Sequence, residues 1–153
     1  MTAQCGQRYR AFTRLDGLDA EKLAALPREE ALRAFIHQQL RPLLSRDEMS
    51  RYMRIFAWEN VHPSKVLRNL MATNAAPFLA RAVALVRRFL PATASEQEAM
   101  CAAIWLMGQC SIFLRNREQF VQPPFNLKID APFVERLADM ITRLALAGLA
   151  QPA

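Results

Sequence analysis

The side chains best suited to chemistry in this chain are His37 and His62, the thiols of Cys5, Cys101 and Cys110, and the carboxylate of Glu59 within Trp58-Glu59-Asn60. Histidine is the usual metal ligand and proton carrier near neutral pH. These two fall on different predicted helices, without the Glu-x-x-His spacing of a di-iron bundle. The cysteines are odd in number and lack metal-ligand spacing. Two of them sit inside an apolar helix, which marks them as buried, inert thiols. Glu59 stands at a helix end with no second catalytic group near it in sequence. No glycine-rich phosphate loop, serine elbow or cysteine–histidine arrangement occurs. The expectation is a protein that is not an enzyme and holds no metal or cofactor.

What remains is apolar surface at high density. Met53, Phe56, Trp58, Met71, Phe78, Trp105, Met107 and Phe113 fall on three predicted helices. Such side chains fill ordinary cores, and they also line adaptable pockets, where methionine can re-pack around a ligand. Gln109 interrupts an otherwise apolar helix. It needs a hydrogen-bond partner, because an unsatisfied buried amide costs about 1–3 kcal/mol. Backbone, another helix, a second subunit or a ligand could supply that partner. The candidate ligand-binding set is therefore Phe56, His62, Met71, Phe78, Trp105 and Gln109. The expected occupant is an apolar or aromatic small molecule, since the region has too little ionisable chemistry for a highly charged metabolite.

These groups must be positioned by helices. The 153 residues are 52% hydrophobic, enough for a sizeable single core, and only four are glycine. Alanine, leucine and arginine, all good helix formers, dominate. The formal charge of +6 invites nucleic acid as a partner. The basic residues, however, form no run and are not interleaved with stacking aromatics, so they read as solvated helix faces. The longest apolar run, 99–114, is too short to span a bilayer. The N-terminus lacks an apolar signal region. A soluble, cytoplasmic protein with no membrane partner is expected.

Along the chain, residues 8–15 can form a short helix broken at Asp16-Gly17, and Asp19 can cap another short turn. Pro27 opens a stronger helix carrying Ala31, Leu32, Phe35, Ile36, Gln39, Leu40, Leu43 and Leu44 at i, i+3, i+4 spacing, with Pro42 expected to kink or end it. Ser45 or Asp47 caps a helix with Met49, Tyr52, Met53 and Phe56 on one face. Ser64 then starts a long helix to about Leu90, kinked in its middle at Pro77. Ser95 with Glu98 makes a capping box for the next helix. That helix is apolar nearly all round over 99–114, so it should be covered on every side. Pro123-Pro124 lies in an irregular linker over 122–129. Asp130 caps the last helix, with Pro132 in its first turn and one stripe of Phe133, Leu137, Met140, Ile141, Leu144 and Gly148.

The all-round apolar helix beside this stripe predicts a homodimer through the last two long helices. Ala103, Gly108, Phe133, Leu137, Ile141, Leu144 and Gly148 are the expected contacts.

Three motifs occur in order: the segment 53–64 ending in Pro63-Ser64, the pair Gly108-Gln109, and the closing Leu146-Ala147-Gly148-Leu149. In this order they resemble the C-terminal half of tetracycline-repressor-like (TetR) regulators of the CecR type. There a helix ending in R-E-x-x-x-P-[ST] precedes a G-Q helix and an L-A-G-L helix. Trp58 stands where arginine is usual before Glu59, so no contact of that arginine carries over. The resemblance implies an all-α, TetR C-terminal-domain-like bundle that dimerises through its last two long helices, with an effector pocket among the preceding ones. In such regulators the effector shifts the separation of two DNA-binding heads by its differential affinity for two dimer geometries.

The expected division is an N-terminal helical linker, 1–26, and a ligand-binding and dimerisation domain, 27–153. Twenty-six residues are too few for a helix-turn-helix head, so operator DNA is expected to be reached only through a head outside this sequence. The expected function is the small-molecule-sensing, dimerising domain of a TetR-like repressor. The alternative is a stand-alone helical interaction protein that pairs with a full-length regulator.

Overall fold

A computed structural model describes residues 19–45, 64–74 and 76–149, without the side chains of Leu67, Leu70, Met71 and Asn74. The expected helices over 8–15 and around Met53 lie outside the described residues. Seven α-helices are described: α1 (Ala20–Ala25), α2 (Arg28–Leu40), α3 (Lys65–Asn74), α4 (Ala76–Arg87), α5 (Glu96–Arg115), the single turn α6 (Arg117–Phe120) and α7 (Ala131–Leu149). No strand occurs among the described residues.

Capping residues set most of the boundaries. The Lys22 amide donates to Asp19 Oδ1 at 2.9 Å and starts α1. Pro27 precedes α2, and its carbonyl accepts the Ala31 amide at 2.8 Å. Pro42 has no N–H to continue the helix, so α2 stops at Leu40 and tightens into a 3-10 turn, Arg41–Leu44. Ser95 and Glu98 form the reciprocal capping box of α5, with Ser95 N to Glu98 Oε2 at 2.6 Å and Glu98 N to Ser95 Oγ at 3.1 Å. Asp130 Oδ1 accepts the Phe133 amide at 2.9 Å and starts α7.

Two helices are described over this segment, α3 to Asn74 and α4 from Ala76, with residue 75 outside the described residues, and Pro77 occupies the second position of α4. A missing N–H costs nothing in a first turn, where amides have no intrahelical partner. Helix α4 ends at Arg87, followed by tight turns onto the Leu85 and Val86 carbonyls before Pro91.

Helix α2 is the central element, packed against α1, α4, α5 and α7. Its Ala31, Leu32, Phe35, Ile36 and Leu40 are essentially inaccessible to solvent. From α4 come Ala82, Leu85 and Val86; from α5, Ala103, Leu106 and Cys110; from α7, Val134, Leu137, Ala138, Ile141 and Ala145. Leu23 of α1 is buried in the same core, so this part of the N-terminal segment packs onto the bundle.

Several arginines tie helices together rather than only solvating their faces. Arg88 donates to the Leu23 and Leu26 carbonyls at 3.2 and 2.7 Å, satisfying the open end of α1. Arg117 Nε donates to the Leu43 carbonyl at 3.0 Å. Arg33 bridges α2 to α7, donating to Asp139 at 2.8 Å and to Glu135 at 3.0 Å.

Candidate functional site

Two regions carry features that packing alone does not use. The first lies on α2 and α4. Phe78, in the first turn of α4, stacks on the buried Phe35 ring with centroids 5.6 Å apart and planes 25° apart. The Arg81 guanidinium lies 5.4 Å from the Phe78 ring, within cation–π range. Gln39 follows Phe35 by one helical turn, so it shares that side of α2. Gln38 Oε1 and Gln39 Nε2 are both shut off from solvent, and neither has a hydrogen-bond partner among the described residues.

The second region is the outer face of α5 and α7. On α5, Ala99, Ala103, Leu106, Cys110 and Leu114 form one buried stripe, and the opposite side is open. Ile104 is 57% exposed and Trp105 43%, with Met100 and Ile112 beside them in the helical pattern. On α7, Leu144 is 62% exposed and Met140 40%. The expectation that α5 is covered on every side is not met within a single chain. Where α5 and α7 approach, an open groove of about 400 Å³ is lined by Leu90, Pro91, Glu98, Trp105, Gly148 and Leu149, among others. A Cβ added at Gly108 or Gly148 would meet nothing within 4 Å, so no intrachain packing requires glycine there.

The expected site residues are scattered. Phe56 and His62 lie outside the described residues, and so does the Met71 side chain, although its backbone belongs to α3. Phe78 faces Phe35, whereas Trp105 lines the α5–α7 groove. Gln109 does not reach across a helix interface. Its Nε2 donates to the Trp105 carbonyl one turn back at 3.3 Å. Among the expected interface residues, Leu144 and Gly148 face outward, and Gly108 and Phe133 are half-buried. Ala103, Leu137 and Ile141 are packed inside the chain's own core, where they cannot also form a surface.

His37 Nε2 lies 2.6 Å from Glu135 Oε1. Hydrogen bonds from His37 and then Arg33 hold the Glu135 carboxyl below the usual carboxylate range. This is a clasp between α2 and α7. Among the described residues no three His, Cys, Asp or Glu side chains gather as a metal would need. The Cys110 thiol is pushed up to about 12 by burial, which leaves it a thiol rather than a nucleophile. Cys101 is exposed on α5, and Cys5 lies outside the described residues.

The sequence pattern places Gln39 along the apolar stripe of α2 and does not single out Gln38; a polar residue on an apolar stripe is the available signal.

No helix among the described residues is long and apolar enough to cross a membrane. Residues 28–149 match the family model described as the C-terminal domain of the HTH-type transcriptional dual regulator CecR. No curated protein and no solved structure matches the chain.

Proposed function

The chain belongs to the family of CecR C-terminal domains, from TetR-like transcriptional regulators, and from that premise we propose that it senses a small apolar or aromatic effector as a homodimer. Residues 27–153 form the sensing and dimerising unit in this reading, with α1 packed on it. The family is one of regulators, and we assign the chain no catalytic role. A regulator that acts on operator DNA through a separate head belongs in the cytoplasm, where its target is.

The observation that carries the dimer is the outer face of α5 and α7. Ile104, Trp105, Ile112, Met140 and Leu144 expose large apolar area on two helices. Between Glu98 and Arg115, α5 carries no charged residue. Contiguous apolar area of this kind on a small protein marks an interaction surface. Gly108 and Gly148, which the single chain does not need, would allow two backbones to approach closely. A second copy presenting the same face makes a self-complementary, two-fold contact. Its contacts are proposed through Gly108, Phe133, Leu144 and Gly148, joined by Ile104, Trp105 and Met140.

The sensing part rests on the α2–α4 side, where Phe78 and Phe35 stack. A binder there favours one arrangement of α4 relative to the dimer helices. In the assembled repressor that bias would alter the spacing of the DNA-binding heads. Light scattering of the chain at micromolar concentration tests the dimer, and a monomer would overturn it. A thermal-shift screen of neutral aromatic compounds against polyanions tests the sensing, since a binder stabilises by mass action. Stabilisation by polyanions alone would overturn the effector class.

A further inference from the structure

We infer that Gln38 and Gln39 are the polar anchors of the effector site, and that the effector carries a hydrogen-bond acceptor and a donor on an aromatic body. The inference rests on the sensing function proposed above and assigns its specificity to two named residues.

The starting point is their isolation. Gln38 Oε1, an acceptor, and Gln39 Nε2, a donor, are both cut off from water, and neither is hydrogen-bonded among the described residues. Buried polar atoms in folded proteins nearly always find a partner, because burying one unpaired forfeits its hydration. Other buried or half-buried polar groups here obey that rule. Thr142 Oγ1 donates to the Ala138 carbonyl at 2.7 Å, Arg117 to the Leu43 carbonyl at 3.0 Å, and Gln109 to the Trp105 carbonyl at 3.3 Å. Two orphaned amide atoms on successive residues break the pattern. Departures of this kind concentrate at functional sites, where stability is given up for a ligand contact.

Their placement agrees with a ligand. Gln39 lies one turn beyond Phe35, whose ring stacks on Phe78, so its amide belongs to the aromatic side of α2. Gln38 lies two turns beyond Ala31, which is fully buried, and one turn before Pro42, which is also buried. Successive helical residues are turned by about 100°. The two amide atoms therefore engage groups pointing in different directions. Gln39 Nε2 donates to an oxygen of the ligand, and Gln38 Oε1 accepts from an N–H or O–H. A secondary amide between two rings has this character, with its oxygen and its N–H on opposite sides.

The probes are N-phenylbenzamide and trans-stilbene, which share a shape and differ in the central amide. Binding to the whole chain is measured by equilibrium dialysis and thermal shift. N-phenylbenzamide should bind roughly fivefold to tenfold more tightly than stilbene. Gln39→Met should erase most of that preference without weakening stilbene, and Gln38→Met should reduce it. Without ligand, Gln39→Met should raise the melting temperature, because it removes an unsatisfied amide at nearly constant volume.

Equal binding of the two probes by the parent chain would overturn the inference, as would an unchanged preference in Gln39→Met. A lower melting temperature in unliganded Gln39→Met would also overturn it, since the amide would then be held by water as part of the fold. If stilbene binds and Phe78→Leu weakens it, yet the amide is not preferred, the anchors fail and the sensing site stands. If neither probe binds the parent chain, both fail together.

Discussion

The Phe35 and Phe78 rings stack 5.6 Å apart and join α2, the central helix, to the first turn of α4. Phe35 is buried and Phe78 only partly so, which orders the two substitutions. Phe35→Ala should cost about 3–5 kcal/mol, as for a core aromatic, and Phe78→Ala clearly less. Urea unfolding measures both. A larger loss at Phe78 would mean that the stack carries more of the core than its burial suggests.

Leu144 offers the cleanest test of the dimer. It is 62% exposed in the single chain, so Leu144→Arg should leave monomer stability within about 0.5 kcal/mol. The same change would bury an unpaired charge in the proposed contact and should shift the population to monomer. Gly148→Leu should act likewise, because its Cβ meets nothing within the chain. A dimer that survives both changes in light scattering uses another surface.

Glu135 makes the α2–α7 clasp sensitive to acid. Its carboxyl is held below the ordinary range by His37 first and Arg33 second. A depressed carboxylate contributes stability that is complete above its unfolded value, about 4.3. That contribution is lost as pH falls through the lower folded value. The carboxyls of Glu98, in the first turn of α5, and of Asp130, which caps α7, are depressed by the Ser95 and Phe133 amides and add at acid pH. Glu135→Gln should flatten the acid limb of a plot of melting temperature against pH. The effect should shrink in high salt, because the group is exposed. An unchanged acid limb would show that the clasp contributes nothing.

The capping box predicts a local loss. Ser95→Ala removes the acceptor for the Glu98 amide and should cost about 1 kcal/mol in denaturant unfolding. The Glu98 carboxyl should then titrate closer to its ordinary value, which carbon-13 NMR of the side chain would read.

The two described thiols should differ in reactivity. Burial pushes Cys110 up to about 12, while Cys101 is exposed on the outer face of α5. Maleimide should label Cys101 in the native protein and Cys110 only after denaturation, with sites assigned by mass spectrometry. If the α5–α7 face forms the dimer, Cys101 labelling should slow as protein concentration rises.

What the sequence determined by itself was local. Asp19, Ser95 and Asp130 cap their helices because a short oxygen-bearing side chain reaches an amide two or three residues on, whatever the tertiary structure. Pro42 ends α2 because its ring has no N–H. The all-helical class followed from composition and spacing, and the order of three motifs pointed to the family that residues 28–149 match. Pro77 shows where local reasoning stops. Proline is costly inside a helix and costless in a first turn, and the described bounds place Pro77 in the first turn of α4. Direction was the other undetermined quantity. Trp105 and Leu106 are neighbours in an equally apolar run, yet one faces outward and the other is fully buried, because α2 and α4 cover a single side of α5. Gln109 and Gln39 each interrupt an apolar pattern. The first donates to its own helix, whereas Gln39 Nε2 is buried with no partner among the described residues, a distinction that the pattern of a single helix does not make.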